Sequence, residues 1–176
     1  MIALLRGVNV GGNNPIAMPA LRSAFENSGF QSVRTYINSG NVLFESGCED
    51  EETIRRSCEA AIAAAFGLPV AVAVISAQAL SEALDHAPGW WGADPDAKHN
   101  AIFVIPPATA ESVAKEVGAI KPEYESVASH GSVIFWSAPI KTFSRTRWSK
   151  IAGTPAYGHV TIRNANTAKK LRELAR

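Results

Sequence analysis

Cysteine is scarce in this sequence: Cys48 and Cys58 are the only two in 176 residues. They lie ten positions apart, in no metal-ligand spacing, and so few cannot build a disulfide framework. A reducing compartment is the expectation, and Cys58 fits the apolar face of a helix with Ile54, Ala61, Ile62 and Ala65. Long hydrophobic runs are also missing. Ala60 to Ile75 is broken by Gly67 and Pro69, too short and interrupted to span a bilayer. With strand-like sequence beginning at Ile2 and no basic leader, the expectation is a cytoplasmic protein without membrane attachment. The four histidines, His86, His99, His130 and His159, are scattered without partners at ligand spacing, so no metal site is expected. Asp94 and Asp96 fall among turn formers, and Ser39 lacks the G-x-S-x-G elbow. No acid–base pair stands out, which leaves enzyme status open.

Hydrophobic content of 47% and charged content of 19% describe an ordinary globule, not a disordered chain. A chain of this size buries roughly 70% of the surface exposed when unfolded, enough for one domain or two small ones. Net charge is +1, but its distribution is uneven. From Lys141 to the end stand nine basic residues and only Glu173 as an acid, +8, against −7 over the first 140 residues. Such asymmetry suits a polyanion-facing surface, or solvated helix faces whose charge the acidic half offsets.

Two stretches carry the most local character. Leu4-Leu5-Arg6-Gly7-Val8-Asn9-Val10-Gly11-Gly12 is an apolar run ending in arginine and opening into a glycine loop. Thr35-Tyr36-Ile37-Asn38-Ser39-Gly40-Asn41 is a strand ending in small polar residues. Periodicity places a strand at Ile2–Leu5 and a helix through Met18, Leu21 and Phe25, stopped by Gly29. A hairpin follows, Ser32–Ile37 returning through Val42–Phe44. Then come a helix from the acidic cluster Glu49–Glu52 to about Phe66 and a strand over Pro69–Ile75. The order is β-α-β-β-α-β. Ser76 is placed to cap a linking helix to about Asp85.

Ala87 to Asp96, with Pro88, Gly89, Trp90, Trp91, Gly92 and Pro95, marks the boundary: residues 1–86, a linker over 87–97, and residues 98–176. The second half repeats the order. It has a strand at Ala101–Ile105, a helix from Thr109 to about Ile120 and a hairpin of Glu125–Ser129 and Ser132–Ser137. A short helix over Ser144–Ile151 ended by Gly153, a strand at His159–Ile162 and a terminal helix capped by Asn164 or Asn166 complete it. The fold class is therefore α+β: two ferredoxin-like βαββαβ halves, a duplicated split-βαβ plan, with linking and C-terminal helices.

The head motif from Ala3 to Gly12, then Met18, Leu21, Thr35-Tyr36-Ile37 and Ser39-Gly40-Asn41, resembles the opening of an uncharacterised bacterial family, domain of unknown function 1697. The tail Thr161-Ile162-Arg163-Asn164-Ala165-Asn166-Thr167 with Leu171 is similar to that family's closing motif, which usually has tryptophan where this chain has Ala165. The resemblance implies the same duplicated α+β fold and brings no activity with it.

For function, glycine-loop N–H groups leading into a helix N-terminus can hold a phosphate or carboxylate. The loop is neither a P-loop nor a dinucleotide fingerprint. The expected anion site uses Arg6, Gly7, Asn9, Gly11 and Gly12, with Tyr36, Ser39 and Asn41 orienting the ligand and Arg163 and Asn164 closing a cleft between the halves. The blander reading is tight turns and capping by Asn and Ser. The alternatives are an enzyme on a phosphorylated or carboxylated small molecule, or an interaction module. For the latter, Arg145, Arg147 and Lys150, interleaved with Phe143 and Trp148, would meet nucleic acid or an acidic protein.

Overall fold

The computed structural model describes residues 1–12 and 14–176. The chain forms two compact units, Met1–Gln78 together with Leu171–Arg176, and Ala79–Lys170.

In the first unit β1 (Ile2–Leu5) lies in the middle of a four-stranded antiparallel sheet, which is why it is apolar throughout and fully buried. It is followed by α1 (Met18–Asn27), β2 (Gln31–Tyr36), β3 (Asn41–Glu45), α2 (Glu51–Phe66) and β4 (Val72–Ile75). The sheet order is β2-β3-β1-β4, the split-βαβ arrangement. Ala3, Leu5, Val42, Phe44 and Val72 bury one sheet face against Leu21 and Phe25 of α1 and Ile54, Cys58 and Ile62 of α2. Phe30 and Phe44 pack with ring centroids 4.5 Å apart. The acidic cluster begins α2 as its dipole requires: the Asp50 carboxylate accepts the Thr53 N–H at 2.9 Å. Gly67, at φ 66°, closes the helix by donating to the Ala63 carbonyl at 2.9 Å. Arg55 reaches Glu52 at 2.7 Å and Glu59 at 2.8 Å along the same helix.

After α3 (Ala77–Asp85), the second unit repeats the plan with β5 (Ala97–Val104), α4 (Ala110–Val117), β6 (Ser126–His130), β7 (Val133–Pro139) and β8 (Val160–Asn164), in the order β6-β7-β5-β8. The terminal helix α5 (Ala165–Leu174) starts where Asn164, not Asn166, accepts the Thr167 N–H at 2.8 Å. Thr109 and Ser112 form a reciprocal capping box on α4, which stops at Gly118, earlier than the expected run to Ile120.

The expected short α-helix over Ser144–Ile151 is not there. Three 3-10 helices, Ile140–Arg145, Trp148–Gly153 and Pro155–His159, take its place. The reason is competition for backbone groups. The Thr146 hydroxyl donates to the Phe143 carbonyl at 2.8 Å and accepts the Ser149 N–H at 3.1 Å. The buried Glu125 carboxylate takes the N–H groups of Arg147 at 2.8 Å and Trp148 at 3.1 Å, and Pro155 removes another donor. Trp148 and Ile151 still turn inward to the core with Val113, Val117, Ile134 and Trp136. Strand limits differ slightly as well: β4 begins at Val72 rather than Pro69, and the last strand covers Val160–Asn164.

Candidate functional site

The loop after β1 carries Gly7, Asn9, Gly11 and Gly12 at φ of 65°, 54°, 59° and 78°. Left-handed backbone at this density is affordable only with glycine or asparagine. Asn9 holds the loop together. Its amide nitrogen donates to the carbonyls of Ile16 at 2.8 Å and Asn38 at 2.9 Å, and its oxygen accepts the Ile16 N–H at 2.8 Å. The amide nitrogen thereby donates twice, so Asn9 ties the loop to Ile16 and to Asn38.

The polar hairpin turn behaves likewise. Asn41 is fully buried and donates to the Tyr36 carbonyl at 3.0 Å. Tyr36 and Ser39 are half-buried. The Leu5 N–H donates to Gly40 O at 2.8 Å, tying the turn to the end of β1. Arg6, half-exposed, has its N–H on the Ala71 carbonyl at 2.9 Å. Within this unit the turn and the glycine loop meet through Asn9 and Asn38.

That junction forms a cavity of about 340 Å³ lined by Asn9, Gly12, Pro15, Ile16, Ala17, Met18 and Asn38. The start of α1 is in its wall. Ala17, at the cap position, offers no side-chain acceptor, and the first turn holds no acidic residue. The first-turn N–H groups of Met18 and Ala20 have no carbonyl partner within the helix, and Pro19 has none to offer. Residues Pro15–Met18 were not among the expected site residues, although the lack of Ser, Thr, Asp or Asn directly before Met18 was readable.

In the second unit a cavity of about 450 Å³ is lined by Gly92–Pro95, Ala97–Asn100 and Asn164–Asn166. Asn164 and Ala165 are in its wall, so the small residue at 165 leaves space there. Arg163 is not. It is 7% exposed, donates to Thr161 Oγ1 at 2.8 Å and the Ile162 carbonyl at 2.9 Å, and burial lowers its pKa to about 10. Arg145, Arg147 and Lys150 are exposed, with Arg145 placed 5.7 Å over the Tyr124 ring. Cys48 is exposed and Cys58 buried, and burial pushes the Cys58 thiol up to about 12. Among the described residues no group of three or more His, Cys, Asp or Glu is placed to hold a metal, and no helix is long and apolar enough to cross a membrane.

Two four-stranded antiparallel sheets in split-βαβ order define a duplicated α+β protein. The chain belongs to the family described as "Protein of unknown function (DUF1697)", whose profile matches residues 1–135. It is similar over its whole length to a solved structure, "conserved bacterial protein SP0830 from Streptococcus pneumoniae": 28% identity, 99% of this chain and 97% of that one, TM-score 0.88. No match was found among curated proteins.

Proposed function

We propose that the protein binds an anionic, phosphate-bearing ligand at the glycine loop and the start of α1. The observation that supports this reading is the start of α1, which Ala17 does not cap, in the wall of a cavity that Asn9 and Gly12 of the glycine loop also line. A ten-residue helix presents about half a positive charge at that end, and N–H groups there accept phosphate or carboxylate oxygens. Arg6, at the end of the strand that launches the loop, adds a guanidinium to the same segment. Asn9 and the Tyr36–Asn41 turn hold the loop in its binding shape. The cytoplasm, where Cys48 and Cys58 stay reduced, is the proposed setting.

The test is a thermal-shift titration with inorganic phosphate and nucleoside phosphates at low salt, on the natural chain, Arg6→Ala and Ala17→Asp. At about a hundred times its dissociation constant a ligand stabilises the fold by roughly 2.7 kcal/mol. Ala17→Asp puts a carboxylate at the cap, which should raise basal stability while repelling the ligand. Loss of the phosphate shift in both variants supports the site. An unchanged shift in Ala17→Asp rules it out.

A further inference from the structure

The second unit holds a pair of side chains that the anion site leaves unused. Strand β7 lies between β5 and β6, and Ser137 stands directly opposite His99 on one neighbour and Ser126 on the other. Residues opposite one another in antiparallel strands project to the same face. Ile134, Trp136 and Ala138 supply the core, so Ser137, with Phe135, faces the other way. On that face Phe135 meets Trp91 edge-on, ring centroids 5.0 Å apart, and Trp91 is pinned by its Nε1–H to the Asn100 carbonyl at 2.8 Å. The loop that Trp91 anchors brings the Asp94 carbonyl to His99.

His99 is held at both ring nitrogens: Nε2 lies 2.7 Å from the Asp94 carbonyl oxygen and Nδ1 lies 2.6 Å from Ser137 Oγ. A carbonyl can only accept, so the Nε2 position carries the proton. In the neutral ring Nδ1 is then the unprotonated nitrogen, and the Ser137 hydroxyl donates to it. This is the order of a nucleophile, a base and a group that fixes the base's tautomer. Ser137 and His99 both line a cavity of about 210 Å³, together with Trp90, Tyr124, Glu125 and Ser126. Glu125 does not compete as the base, because its carboxylate already accepts N–H groups from Lys121, Arg147 and Trp148. Tyr124 and Ser126 carry hydroxyls in the same wall, the donor type a developing oxyanion needs.

We propose that Ser137 and His99 are a catalytic dyad that cleaves esters of a small acyl group seated in this cavity of about 210 Å³. Ser137 Oγ bonds to the acyl carbon as its proton passes to His99 Nδ1. The carbon–oxygen bond to the alcohol then breaks, and the alcohol leaves with that proton. Water attacks the acyl-serine next, giving a proton to Nδ1, which returns it to Ser137 Oγ as the carboxylic acid departs. His99 Nε2–H stays on the Asp94 carbonyl throughout, keeping the ring in place.

The experiment uses the full chain with p-nitrophenyl acetate as substrate and an alkyl fluorophosphonate as covalent reagent, the adduct mapped by peptide mass spectrometry. The expected results are a phosphonyl group on Ser137 and ester hydrolysis that disappears in Ser137→Ala. Labelling should slow by a hundredfold or more in His99→Gln, the lower range of a lost general base. Both variants should keep the far-ultraviolet circular dichroism of the natural chain. The adduct on the natural chain needs no variant to fold. An adduct absent from Ser137, or labelling at the same rate in His99→Gln, overturns the proposal and leaves a hydrogen bond between strands. Failure here leaves the anion site in the first unit untouched, and the reverse holds.

Discussion

Gly40 lies tight against Leu5: the Leu5 N–H donates to the Gly40 carbonyl at 2.8 Å, and a Cβ built on Gly40 would sit 2.8 Å from the Leu5 Cβ. The same Cβ would come within 2.5 Å of Val8 Cγ2, and Gly40 has a φ of 70°. Gly40→Ala therefore meets both overpacking and a left-handed backbone, at an expected cost of about 2–4 kcal/mol. Urea denaturation measures it. A loss below about 1 kcal/mol would mean that the turn withdraws from β1 without penalty.

Glu125 is 4% exposed and satisfies the N–H groups of Lys121, Arg147 and Trp148. In Glu125→Ala these donors lose their acceptor, and the segment of 3-10 helices should loosen, costing about 2–4 kcal/mol. Glu125→Gln keeps one acceptor oxygen and should fall between. Hydrogen exchange at Arg147 and Trp148 reports the effect locally, and unchanged protection there would refute it.

The Asn9 side chain makes three hydrogen bonds across the glycine loop. Asn9→Ala should cost about 1–3 kcal/mol, speed exchange of the Ile16 amide, and weaken phosphate binding without abolishing the fold. Asn9→Asp keeps the acceptor for the Ile16 N–H but loses both donors, so Ile16 should stay protected while the tie to Asn38 is lost. Amide exchange read residue by residue separates the two variants.

The Glu52 carboxylate is held at about 2, below its ordinary 4.5, by hydrogen bonds from Arg55 and then Arg56. A folded-state value below the unfolded one means stability that is full above about pH 4.5 and lost as pH falls toward 2. Glu52→Gln should flatten this acid limb of the stability profile while leaving its shape above pH 6. An acid limb identical in the variant would show that the pairs of Glu52 with Arg55 and Arg56 contribute nothing.

Thiol titration should find one cysteine, Cys48, at native pH. Cys58, buried and with its thiol pushed up to about 12, should react only on unfolding. Rapid native reaction of both would contradict the packing of α2 against its sheet.

Local chemistry made much of the fold readable. The helical spacing of Ile54, Cys58 and Ile62, the acidic start of α2, the glycine after it and the turn residues between β2 and β3 act over a few positions. The repeated element order followed from them. Residues 140–159 defeated that reading because the N–H groups of Arg147 and Trp148 are taken by Glu125, more than twenty positions earlier, a competitor that periodicity cannot register.

The candidate sites divide the same way. Glycine and asparagine after β1 announced a loop with left-handed backbone, because few other residues tolerate it. That Asn9 bonds to Ile16 and Asn38, that Arg163 is buried against Thr161, and that the start of α1 opens into a cavity were settled by tertiary packing. The pairing of His99 with Ser137 was settled there too. These two stand 38 positions apart in sequence and meet only through the register of β5 on β7, where a one-residue slip would turn Ser137 to the opposite face.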